Sequence, residues 1–121
     1  MKTLANENAQ VLAGSDSGAS NNFTFPGWTL HRELAAMVEA GYTPMQALQA
    51  ATRNPARYLG ESDRMGTIEV GKAASLVLLN ANPLDDVRNT QKIEAVVLHG
   101  RLLRRADLDQ MLADVAAKGV R

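Results

Sequence analysis

The sequence predicts an α+β chain: one short strand, two or three helices, a small mostly antiparallel sheet and a terminal helix. Three observations predict it. Short apolar runs stand at Val11–Ala13, Ser75–Leu79 and Ile93–Leu98, bounded by residues that favour turns. Between the first run and the second, apolar residues recur at helical spacing instead. The character changes after Gly60, where glycine turns and strand-like runs replace the helical pattern.

The chain has 121 residues, which suits one ordinary domain or a piece of a larger one. Lysine plus arginine and aspartate plus glutamate number 13 each, so no basic field for nucleic acid or anionic lipid is expected. Cysteine is absent, which excludes disulfides and thiolate sites and is compatible with a cytoplasmic protein. No apolar run approaches the roughly 20 residues that span a bilayer, and the first ten residues lack the apolar core of a secretory signal. Aromatic residues make up only 4% of the chain, so a core must be built from Ala, Leu, Val and Met.

Residues 1–9 are polar and suit a helix end or a frayed segment. A strand is predicted over residues 10–14. Residues 15–29 are irregular, and Phe23, Phe25 and Trp28 within them line a pocket or, as we favour, cover a core edge. Leu30, Leu34, Met37 and Val38 fall on one face of a helix over 30–40, with Thr29 as N-cap and Gly41 just past its end. Thr43-Pro44-Met45-Gln46 has the spacing of a capping box with proline in the first turn. The helix it opens is expected to bury Met45, Leu48 and Ala51. Asn54-Pro55 is expected to stop that helix and cap a short third one ended by Gly60. Met65–Lys72 reads as a short strand and a glycine turn. The near-continuous apolarity of Ser75–Leu79 predicts a strand buried on both faces. It should pair with Ile93–Leu98, which turns through His99-Gly100 into Arg101–Leu103 as a hairpin. Asp107-Leu108-Asp109-Gln110 has capping-box spacing and is expected to open a last helix with Leu108, Met111, Leu112 and Val115 on its face.

The candidate site is Gly14-Ser15-Asp16-Ser17-Gly18. Glycines on either side of a carboxylate allow a sharp turn that leaves Asp16 at the mouth of the strand. At the C-terminal end of a barrel strand, such a carboxylate is catalytic or a metal ligand; elsewhere, aspartate commonly caps a turn or helix. Ser15, Ser17 and Gly18 either shape a site or simply make the turn. His31 reads as a helix-surface or loop-packing residue and His99 as a turn residue; neither has metal-ligand spacing. Arg53 and Arg57 read as solvated or paired with local acids.

Three segments together resemble the C-terminal end of the metal-dependent amidohydrolase superfamily, particularly its imidazolonepropionase-like and prolidase-like members. Residues 14–18 resemble the last barrel strand with its metal-site aspartate. LHRELAAMVEAGYTPMQALQAATRNPARYLG (30–60) resembles the helices that follow, and MGTIEVGKAASLVLLNANPLDD (65–86) resembles the return into a small β-sandwich. One departure is Ala74-Ser75, where the family usually has Ala-Asp.

The resemblance implies the last strand and helices of a (β/α)8 barrel over residues 1–60, part of a composite β-sandwich over 61–104 and a C-terminal helix over 105–121. It implies a hydrolase acting on carbon–nitrogen bonds of a small non-peptide or dipeptide-type substrate. Zinc or another divalent metal would activate water there, with Asp16 as metal ligand and proton acceptor. The family's His-x-His pair and its remaining ligands have no counterpart in this sequence. The chain therefore looks like the last quarter of an enzyme, inactive and not retaining metal by itself. Self-association, or a partner chain supplying the missing barrel, is expected. The alternative is a non-catalytic remnant that acts, if at all, through association with another chain.

Overall fold

A computed structural model describes residues 9–17 and 25–119. The expectations for residues 1–8, Gly18 and Phe23 lie outside them. The helical half comprises α1 (Trp28–Glu39), α2 (Pro44–Ala51) and α3 (Arg53–Tyr58). A three-stranded antiparallel sheet follows, with β1 (Leu76–Leu79), β2 (Ile93–Leu98) and β3 (Arg101–Arg104) in that order. A 3-10 helix at Val87–Gln91 links β1 to β2, and α4 (Arg105–Lys118) closes the described chain. No helix among the described residues is long and apolar enough to cross a membrane.

The core lies between α1, α2 and the 3-10 helix. Leu34 and Met37 of α1, Tyr42 of the following turn, Ala47 and Ala50 of α2 and Val87 form one buried cluster. The two alanines are fully covered, and their small side chains let α2 approach its neighbours closely. Leu34, Met37 and Val38 face the core as their spacing predicts, and Leu30 is half-buried. The Thr43 box also forms: the Gln46 backbone N–H donates to Thr43 Oγ1 at 3.2 Å, and the Thr43 N–H donates to Gln46 Oε1 at 2.8 Å.

Several boundaries differ from the sequence reading. Helix α1 begins at Trp28, earlier than expected, with Gly27 rather than Thr29 as N-cap. The Thr29 hydroxyl instead donates to the Phe25 carbonyl at 2.9 Å and accepts from the Phe25 N–H at 2.7 Å. Phe25 and Trp28 are exposed rather than covering a core edge. Met45 is exposed as well, because α2 turns Ala47 and Ala50 inward, with Leu48 and Ala51 beside them. The break between α2 and α3 falls at Thr52, whose hydroxyl donates to the Leu48 carbonyl at 2.7 Å. Asn54 and Pro55 stand inside the first turn of α3, where proline's missing N–H has no intrahelical partner to lose. Helix α4 begins at Arg105, and Asp107, expected as its cap, is the third residue and accepts the Arg104 N–H at 2.8 Å.

The β half follows the predicted pairing. β1 runs antiparallel to β2, with Leu76 opposite Val97, and β2 runs antiparallel to β3, with Leu98 opposite Arg101. His99 and Gly100 have φ of 49° and 82°. A two-residue hairpin turn with positive φ at both positions matches the twist of its strands. Two expectations fail here. No strand forms within Met65–Lys72: Ile68 and Val70 are exposed and no ladder neighbour lies beside them among the described residues. β1 is not buried on both faces either, since Val77 is 55% and Leu78 61% exposed. Apolar runs of this kind are covered on both sides in parallel sheets between helices, whereas only Ala95 is buried in this sheet.

Candidate functional site

Residues 10–14 form no strand in the ladder sense, contrary to expectation. Strand pairing requires a neighbouring edge, and the described residues place helices there instead. Burial nonetheless alternates along residues 9–17 as in an extended chain. Val11 and Ala13 turn toward the core cluster, while Leu12, Gly14 and Asp16 face out. Two bonds tie the segment to the helices. The Ala13 N–H donates to the Ala50 carbonyl at 2.9 Å. Asn54 Nδ2 donates to the Val11 carbonyl at 3.0 Å.

The extended course ends at Asp16, whose φ is +47°. Aspartate tolerates this left-handed conformation better than most residues with a β-carbon. The sequence assigns the sharp turn to the glycines; Gly14 has no positive φ, the left-handed residue is Asp16 itself, and Gly18 lies outside the described residues. Ser15 and Ser17 flank it with their hydroxyl oxygens 2.8 Å apart. Asp16 is thus an exposed carboxylate at the end of an extended segment whose inner face is packed.

Among the described residues there is no cluster of three or more His, Asp or Glu that could hold a metal ion. Zinc takes three or four protein ligands, so Asp16 can be one donor and not a site. His99 sits in the β2–β3 turn. His31 on α1 hydrogen bonds through Nδ1 to Thr90 Oγ1 at 3.0 Å. The Thr90 hydroxyl gives its single proton to the Val87 carbonyl at 2.8 Å, so Nδ1 carries the proton it donates to Thr90. Burial pushes the His31 pKa below its usual value, because desolvation disfavours the imidazolium. His31 therefore packs α1 against the 3-10 helix, in line with its sequence reading.

Arg53 is not paired with an acid. Its Nη2 donates to Gln49 Oε1 at 3.1 Å, and its Nε is buried without a partner. Tyr42 Oη and Asn54 Oδ1 are likewise buried and unpaired. These three residues line a small cavity of about 70 Å³, together with Ala9–Val11, Gln46 and Gln49. Sequence reasoning misses Asn54 as a tether, because it places the residue at a helix cap. The available signal is a polar residue between Ala50-Ala51 and Ala56, flanked by the small residues of two helices.

The family model for the amidohydrolase family matches residues 1–103. The chain belongs to the amidohydrolase family. An N-acetylgalactosamine-6-phosphate deacetylase of Escherichia coli O157:H7 is 34% identical over 80 residues, covering 65% of this chain and 21% of that protein. An imidazolonepropionase of Thermoplasma acidophilum is 50% identical over 42 residues, covering 35% of this chain and 10% of that protein. Among solved structures, a Xaa-Pro dipeptidase with methionine bound in its active site superposes with a TM-score of 0.72 at 29% identity. That match covers 85% of this chain and 24% of the dipeptidase. The amidohydrolase chain thus spans less than half the length of the curated relatives it matches. Both kinds of member that its motifs resemble, imidazolonepropionase and prolidase, are among these similar proteins.

Proposed function

We propose that this chain is the C-terminal part of a metal-dependent amidohydrolase that cleaves carbon–nitrogen bonds in a cyclic amide, amidine or dipeptide-type substrate. The carrying observation is Asp16, exposed at the end of a packed extended segment inside the family match. In this reading residues 1–60 close a barrel, residues 61–104 join a β-sandwich and residues 105–121 form the terminal helix. Asp16 accepts a proton from water as its oxygen attacks the carbonyl or amidine carbon. It then gives that proton to the nitrogen as the C–N bond breaks, so its own charge is restored. It would also be one donor to a zinc or similar divalent ion, which would supply activation of that water.

A second reading is motivated by one observation: the described residues contain no group of three or more His, Asp or Glu that could hold a metal ion. In that reading the chain is catalytically inactive and acts through association with another chain. The two readings part on the DNA upstream of Met1. The enzymatic reading expects an open frame encoding a His-x-His pair and the remaining ligands. In the protein expressed from that whole frame, Asp16→Asn should lower kcat by roughly 10²–10⁴, the range of general acid–base catalysis. Turnover unchanged by Asp16→Asn removes Asp16 from the chemistry, and absence of such a frame favours the remnant.

A further inference from the structure

We propose that Asn54 is a positioning residue for Asp16, an inference that rests on Asp16 being the site carboxylate. The segment carrying Asp16 has no strand neighbour among the described residues to set its direction. Its course depends on the Ala13–Ala50 backbone bond and on the Asn54 side chain, which reaches across 43 positions to the Val11 carbonyl.

Asn54 is only 8% exposed, and α3 begins one residue before it, so its side chain is fixed at the base of a helix. Its other end, Oδ1, is buried with no partner. A buried orphan acceptor weakens a fold, and an apolar side chain of similar size would avoid that loss. What the amide adds is a donor aimed at a carbonyl that a strand neighbour would otherwise satisfy. The bond holds Val11, the Ala13 bond holds the next inward-facing residue, and the chain then leaves the helices toward Asp16. With the bond removed, the segment retains one tether two residues further along and can pivot about it. Asp16, three residues beyond that tether, would sweep through the largest arc.

The test uses the full chain, unmodified and as Asn54→Ala and Asn54→Leu, with Asn89→Ala as control. Asn89 makes the same kind of bond, Nδ2 to the Asn82 carbonyl at 2.8 Å, away from this segment. Amide hydrogen exchange is read at Ala13 and at Ala47, whose N–H is bonded within the α2 turn to the Thr43 carbonyl. The strong intraresidue amide–Hα NOE of a positive φ is read at Asp16. Either Asn54 variant should speed Ala13 exchange at least tenfold, leave Ala47 within twofold and weaken the Asp16 NOE. Asn89→Ala should change none of these. A folded Asn54 variant with unchanged Ala13 exchange and an unchanged Asp16 NOE overturns the proposal. Should both variants fail to fold, the unmodified chain decides. There the Asn54 Nδ2 protons should exchange slowly and share the opening of Ala13, and fast exchange overturns the clamp. None of these readouts involves hydrolysis. The clamp can therefore fail while Asp16 remains catalytic, and the Asp16→Asn kinetics can fail while the clamp stands.

Discussion

Gly66 gives the sharpest test of the packing. It has a φ of +95°, and a β-carbon built there would meet Ala56 Cβ at 2.6 Å, Arg53 Cα at 3.2 Å and the Thr52 carbonyl oxygen at 3.3 Å. Two of those neighbours are backbone atoms of the α2–α3 junction, so they cannot swing aside as a long side chain would. Gly66→Ala therefore carries two costs: about 1–2 kcal/mol for forcing a β-carbon into left-handed backbone, and about 1–3 kcal/mol for overpacking. Gly71 supplies the control, since its φ is +90° and a β-carbon added there would meet nothing within 4 Å. Gly71→Ala should thus show the conformational cost alone. Urea unfolding should give a midpoint loss for Gly66→Ala exceeding that for Gly71→Ala by the overpacking cost, about 1–3 kcal/mol, at unchanged m. Equal losses for the two variants would refute the close approach of Gly66 to α3.

Three further outcomes are expected. Met37→Ala should lose about 2–5 kcal/mol, while Met45→Ala, at a site 47% exposed, should stay within about 0.5 kcal/mol; both are read by urea unfolding. Burial lowers the His31 pKa, so the unfolded chain takes up the proton first. Stability present above about pH 6.5 should fall as the pH drops through the lower folded value, and His31→Asn should flatten that part of a urea-midpoint curve. The purified chain should self-associate, because Ile68, Val70, Val77, Leu78, Leu112 and Val115 are all exposed, and it should not retain one zinc per chain through dialysis. Light scattering with metal analysis checks both, and a monomer carrying one tightly held zinc would contradict them.

The legible elements are those specified by residues a few positions apart. Thr43 and Gln46 meet within one helical turn, and their side chains close the box without help from the rest of the molecule. His99-Gly100 reverses the chain between two runs of the right period, and the register follows from the two-residue loop. The failures share the opposite property. Residues 10–14 and 65–72 carry strand-like composition, but a strand exists only where a partner edge is present, and composition does not supply one. The apolarity of β1 suggests burial on both faces and misleads for the same reason: a strand's own residues say nothing of the layer that would have to cover it.

The site divides along the same line. Asp16 can be singled out because a carboxylate framed by Gly, Ser and Ser is a local pattern, and because that pattern resembles the family's motif. Its positive φ follows only from the structure, since the neighbouring glycines offer an easier seat for the turn. Its support is less visible still. The Asn54–Val11 and Ala50–Ala13 bonds join residues separated by more than thirty positions, and both use backbone groups, which carry no sequence signature. Asn54 therefore looks like a cap beside a proline, where asparagine is common. Only the arrangement of α2 and α3 against the extended segment turns its amide toward Val11. The chemistry proposed for this chain rests on one local motif, whereas the geometry proposed to aim it depends on a contact that no local motif contains.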